Sequence, residues 1–194
     1  MTSRPTLVYI HGFNSSAQAF KAKIVSDHLS RFHPDKVFVC PQLPADPDRA
    51  MSFLERVVHD SPVEGFIGSS LGGFYAYYLS AKYEIPCALI NPAVRPFELL
   101  HQYLGPQENP STGERYHVSL EYLDCLKRYY CASPNTQRVK VWLQQDDEVL
   151  DYREALEYFG SECCVVSSGG GHGYVGYESI VGDQLQFLFS HGGG

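Results

Sequence analysis

Ser70 stands between two glycines in Gly68-Ser69-Ser70-Leu71-Gly72, directly after the apolar run Gly65 to Gly68 and directly before a helical pattern, Leu71 to Lys82. A turn from strand to helix this tight holds its central residue in a strained conformation above the strand end, and only very small neighbours let backbone pass that close. Gly68, Gly72 and also Gly73 meet that need. The hydroxyl presented there is a weak nucleophile until a base takes its proton. The base is most often a histidine, and a carboxylate usually orients it. Ser69 competes as nucleophile, but only Ser70 is centred between the two motif glycines.

Chain order tests this reading, because a serine on such a turn is followed first by the acid and then by the histidine, each on a loop after a later strand. Asp147 lies just beyond the run Arg138 to Leu143, and His172 lies in Gly169-Gly170-Gly171-His172-Gly173 after the run Cys163 to Val166. The other seven histidines fall in helical patterns, in a long strand-free interval, at a strand end or in the tail. Asp146 and Asp147 are both candidates for the acid. Position favours Asp147, which precedes Glu148, Val149 and Leu150, while Asp151 is better used to cap the next helix, with Glu154 three residues on. Taken alone, either aspartate reads as a solvated loop carboxylate and His172 as a surface residue; Ser70 and the order make them candidates.

Acyl transfer at a serine also needs backbone N–H donors already aimed at the developing oxyanion. Leu71, the residue after the nucleophile, supplies one at a helix start, and the loop His11-Gly12-Phe13-Asn14 supplies a second, which the reading assigns to Phe13. His11 reads as a loop-bracing residue bonded to backbone. No HExxH or similar ligand cluster occurs, so neither a metal nor a cofactor is expected.

These residues must be held by something, and six short apolar runs supply it: Thr6 to Ile10, Val37 to Cys40, Gly65 to Gly68, Cys87 to Ile90, Arg138 to Leu143 and Cys163 to Val166. Alternating with helical patterns, they read as parallel strands covered on both faces. Phe20, Ile24, His28 and Phe32 recur every four residues and read as one helix face. Asp46 and Pro47 open a second helix with an apolar stripe at Ala50, Phe53, Leu54, Val57 and Val58. A helix opens near Asp151, and a last one carries Val181, Leu185 and Leu188. The interval of about 94–137 has no strand signal and reads as a small helical cap inserted over the sheet, with a mobile polar break at Gly105 to Gly113. Tyr122 and Tyr129 in that cap are expected to shape an acyl pocket.

A length of 194 residues suits one α/β domain, 1–194, and 44% apolar with 19% charged residues describes an ordinary globular protein. A formal net charge of -7 opposes binding to nucleic acid or to an anionic membrane. Thr6 to Ile10 is too short for a signal core or a membrane span, so the expected location is cytoplasmic. The six cysteines form no CxxC pair and read as reduced, and Gly192, Gly193 and Gly194 read as a flexible tail. Nothing in the sequence indicates an oligomeric state.

The chain resembles the small bacterial YqiA-like esterases of the α/β-hydrolase superfamily. The resemblance spans nearly its whole length and rests on Tyr9-Ile10-His11-Gly12-Phe13-Asn14-Ser15, Gly68-Ser69-Ser70-Leu71-Gly72-Gly73, Ile90-Asn91-Pro92-Ala93, Asp147-Glu148-Val149-Leu150-Asp151-Tyr152 and the glycine-flanked His172. Where the family has glycine before the acid, this chain has Asp146. The resemblance implies a doubly wound parallel sheet in the order 2-1-3-4-5-6, with the oxyanion loop and the nucleophile turn both ending at the switch point between strands 1 and 3. It also implies a serine esterase acting on small acyl esters or thioesters without a cofactor. Two other functions remain open to these residues: an acyltransferase using the same triad, and a ligand-binding homologue without turnover.

Overall fold

A computed structural model describes residues 4–191; the lead-in Met1 to Ser3 and the tail read at Gly192 to Gly194 lie outside the described residues. The strands are β1 (Thr6–Ile10), β2 (Val37–Val39), β3 (Val63–Ser69), β4 (Cys87–Ile90), β5 (Gly105–Glu108), β6 (Arg115–Val118), β7 (Val139–Gln144) and β8 (Cys164–Ser167). The helices are α1 (Phe20–Phe32), α2 (Pro47–Asp60), α3 (Leu71–Tyr83), α4 (Pro96–Leu99), α5 (Leu120–Arg128), α6 (Tyr152–Phe159) and α7 (Val181–His191). Six strands form one parallel sheet in the order β2-β1-β3-β4-β7-β8, which is the expected order for the six apolar runs. This is the α/β-hydrolase fold.

The stretches Leu7 to Ile10, Gly65 to Gly68 and Cys87 to Ile90 carry only hydrophobic side chains because both faces of the sheet are covered there. Along β1, Leu7 and Tyr9 point into a core shared with Val25 and Leu29 of α1 and with Leu185 and Leu188 of α7. Val8 and Ile10 point the other way, into a core shared with α2, α3, α5 and α6. Register sets Ile10 beside Gly68, Ser69 beside Ile90, and Ile90 beside Trp142. The C-terminal ends of four neighbouring strands therefore open on one edge of the sheet, and the loops that follow them converge there.

Two expectations need correction. Helix α1 is present, but it buries Ala22, Val25 and Leu29, while Phe20 and Phe32 of the expected face are 68% and 55% exposed. The smaller side chains are the ones that fit the groove between sheet and α7. The strand-free interval is likewise not all helical. Its polar break forms an antiparallel ribbon, β5 with β6, closed by a tight loop in which Asn109 exchanges backbone bonds with Glu114 and Gly113. Backbone pairing carries this ribbon, so its side chains need no apolar alternation. Helix α2 follows the sequence closely: Asp46 caps it by accepting from the Arg49 N–H at 2.8 Å, a contact worth about 1 kcal/mol.

Candidate active site

Ser70 occupies φ 56°, ψ −124° between β3 and α3, a left-handed conformation that costs a non-glycine residue roughly 1–3 kcal/mol. Surrounding bonds hold it there. Its N–H donates to the Ile90 carbonyl at 3.1 Å, and its own carbonyl accepts from Gly73 and Ala93 at 2.9 and 3.1 Å. The close approach that the sequence demanded of glycine is severe at Gly72, where a Cβ would lie 2.0 Å from the Ile10 carbonyl oxygen.

The Ser70 hydroxyl lies 3.0 Å from His172 Nε2. On the other side of the ring, Nδ1 lies 2.9 and 3.0 Å from the two carboxylate oxygens of Asp147, so the proton on the neutral ring sits on Nδ1 and Nε2 accepts from the serine. Asp147 is fixed in turn by the N–H groups of Val149 and Leu150, each donating to Oδ1 at 2.9 Å. Its side chain is 1% exposed. Burial works to raise its pKa, but the bond from His172 and the two backbone donors outweigh that, and the carboxyl is held below its ordinary range. Asp146 is exposed on the same turn and does not meet His172.

Phe13 and Leu71 flank the serine at the mouths of the loops after β1 and β3, and among the described residues the backbone N–H of each is free of any hydrogen bond. His11 ties its own loop to the segment after β2: Nε2 accepts from the Leu43 N–H at 3.2 Å, and Nδ1 donates to the Gly12 carbonyl at 3.0 Å. Its burial lowers its pKa, with the Gly12 carbonyl opposing.

Two hollows meet at Ser70. One, of about 250 Å³, is walled by Leu99, Leu100, Tyr103, Ala93 and Val149 and is largely apolar. The other, of about 380 Å³, lies between the loop after β1 and the start of α1. Tyr122 and Tyr129 line neither. Tyr122 is buried against Tyr116, and the Tyr129 hydroxyl donates to Asp48 at 2.7 Å on the α2 side. The apolar hollow is walled mainly by residues after β4, and Tyr122 instead lines a smaller hollow beside Phe13 and Leu71.

Residues 6–188 match the family described as Uncharacterised protein family (UPF0227). The chain belongs to this family. It is the YqiA-like group to which the motifs pointed. Among solved structures, Est1E from Butyrivibrio proteoclasticus with bound ferulic acid is 15% identical with TM-score 0.73, over 97% of this chain and 90% of that one. A protein of Pectobacterium atrosepticum described as a YdeN-like hydrolase is 18% identical with TM-score 0.63, over 98% and 94%. An S-formylglutathione hydrolase from Agrobacterium tumefaciens is 14% identical with TM-score 0.66, over 98% and 85%. At such identities the likeness shows the fold.

In this member of the family, three side chains that carried no functional expectation hold the histidine loop. Asn91 donates from Nδ2 to the carbonyls of Gly171 and His172 at 3.0 and 3.3 Å and accepts the Gln144 N–H at 3.0 Å. Gln144 Oε1 accepts from the N–H groups of Gly171 and Val175 at 3.0 and 2.8 Å. Glu148 accepts the His172 N–H at 2.9 Å, which draws its own pKa down. The available signal was a polar residue closing an apolar strand, as Asn91 closes Cys87–Ile90. Gly170 lets the loop pass: it sits at φ +87°, and a Cβ there would lie 2.0 Å from Gln144 Oε1. Among the described residues, no three His, Cys, Asp or Glu side chains group as a metal site, and no helix is long and apolar enough to cross a membrane.

Proposed function

We propose that this protein is a serine hydrolase that cleaves carboxylic esters or thioesters through an acyl intermediate on Ser70. The observation that carries the proposal is the continuous line from Ser70 Oγ through His172 to Asp147, with each link at 2.9–3.0 Å. In the first half-reaction Ser70 Oγ attacks the acyl carbon as its proton passes to His172 Nε2. The resulting oxyanion falls between the free N–H groups of Phe13 and Leu71, and Asp147 stabilises the imidazolium. Collapse breaks the bond to the leaving oxygen or sulfur, which takes the proton from Nε2. Water then gives a proton to the same nitrogen, attacks the acyl-serine and releases the acid, and the proton returns to Ser70.

The apolar hollow beside Leu99 and Leu100 suits an acyl chain, and the insertion that supplies those residues acts as the cap of a one-domain enzyme. The names of the structural neighbours, an S-formylglutathione hydrolase among them, support ester and thioester chemistry. None of the six cysteines is in a disulfide, which supports a reducing, cytoplasmic location.

A fluorophosphonate probe and a 4-nitrophenyl ester test the proposal. The wild type should be labelled and turn over, whereas Ser70→Ala should lose labelling and at least ~10³-fold in kcat. An unlabelled wild type, or a Ser70→Ala variant that keeps its rate, removes the proposal.

A further inference from the structure

The second hollow at Ser70 holds a cation that the chemistry above does not use. Lys21, in the first turn of α1, lines the 380 Å³ space together with Tyr9, Ser15, Phe20, Ser70 and His172. Its ammonium donates to the Gly173 carbonyl at 3.0 Å. An ammonium has three donors, so two remain to be met. Among the described residues no carboxylate lies within ion-pair reach of it, in contrast to Lys23, Lys36 and Lys82, which each meet one. The first turn of α1 has no acidic residue and no side-chain cap, so nothing on that turn offsets the charge. Asp147 acts on it from a distance but is committed to His172.

We propose that this hollow receives the leaving half of the ester or thioester and that Lys21 selects a leaving half bearing an anionic group, a carboxylate or a phosphate. The proposal rests on Ser70 as nucleophile and names the substrate class of that site. The two hollows differ in the way the two halves of such a substrate would differ. Leu99, Leu100 and Tyr103 offer an acyl chain apolar contact and no charge. Across the serine, the half-buried Lys21 lacks an anionic partner, and its pKa is lowered by burial, with Asp147 opposing. A ligand anion would reverse that penalty, since a buried charge costs most when unpaired and a charge-assisted bond is among the stronger polar contacts. A brace for Gly173 alone would need only a neutral donor.

The test measures binding, so that it does not depend on turnover. In the Ser70→Ala background, calorimetry compares 4-carboxyphenyl butanoate with its neutral match, 4-carbamoylphenyl butanoate; a phosphate-bearing analogue shows which anion fits better. We expect the anion to bind about tenfold or more tightly than the carboxamide, and that ratio to fall toward one in Lys21→Met and to survive in Lys21→Arg. Lys21→Gln, which keeps a donor for Gly173, guards against a variant that fails to fold. A ratio near one with Lys21 present, or one unmoved by Lys21→Gln, overturns the subsite; so does failure to bind either ligand. Probe labelling of the wild type reports separately on Ser70. A labelled serine with no charge preference sinks the subsite alone, whereas charge-selective binding without labelling removes the nucleophile and with it the assignment of the hollow to a leaving half.

Discussion

Asn91 holds the backbone of His172 from 81 residues away, donating to its carbonyl at 3.3 Å while also bonding the preceding Gly171. Asn91 itself sits at φ 39° and is 2% exposed, at the end of the strand beside the serine turn. His172 is thus positioned by the same strand end whose Ile90 carbonyl fixes the Ser70 N–H. Ser70 and His172 share one rigid support.

Removing that support should cost both stability and rate. Asn91→Ala leaves two carbonyls and the Gln144 N–H without their partner, a loss of roughly 1–3 kcal/mol, or about 2–12 °C in Tm for a chain of this size. Because His172 then wanders, kcat should fall more than KM rises. Thermal melts and steady-state kinetics on one preparation decide it; a lower Tm with unchanged kcat would make Asn91 a structural residue only.

Asp147→Asn should reduce kcat by several powers of ten, on the order of ~10⁴, because the amide stabilises the wrong imidazole tautomer. Asp146→Asn should change it by less than about threefold, since exposed loop substitutions remove little. If Asp146→Asn is the crippled variant, the acid has been misassigned.

The Asp147 pairing also sets a pH signature. Its folded-state pKa is depressed, so the unfolded chain binds the proton more readily. The stability this confers is present above the unfolded value of about 3.9 and is lost as pH falls through the lower, folded value. Urea melts of wild type and Asp147→Asn should therefore differ at neutral pH and draw together below about pH 4. A gap that widens in acid contradicts the depressed pKa.

Gly72→Ala should be severely destabilising, by more than about 3 kcal/mol, because its Cβ would meet the Ile10 carbonyl and neither backbone can yield. Gly173→Ala is the control: a Cβ there meets nothing within 4 Å. Equal melting temperatures for the two variants would mean that the turn is looser than described.

Acyl selectivity should respond to Leu99 and Tyr103. Leu99→Phe, which narrows the apolar hollow, should shift preference toward shorter acyl chains, while Tyr122→Ala should lower Tm without moving that preference. Rates across 4-nitrophenyl esters from acetate to decanoate read this directly. Selectivity that follows Tyr122 instead would return the acyl pocket to α5.

Much of this protein is written locally. A strand covered on both faces is apolar along its buried length, so Leu7 to Ile10 and Cys87–Ile90 are visible as runs, and a turn that forces Ser70 to φ 56° must carry glycines at fixed offsets. Chain order then singles out Asp147 and His172 because each loop follows its own strand. Other features depend on surfaces that meet only in the folded chain. The buried face of α1 is chosen by the groove between sheet and α7, which admits Ala22 and Val25 and leaves the larger Phe20 outside. The β5–β6 ribbon is held by backbone pairing, which carries no side-chain period. The bonds of Asn91, Gln144 and Glu148 to the histidine loop, and the arrival of Lys21 beside Ser70, join residues 24 to 152 positions apart. A hydrogen bond or a shared hollow at that separation is a property of three-dimensional proximity, and no spacing along the chain encodes it.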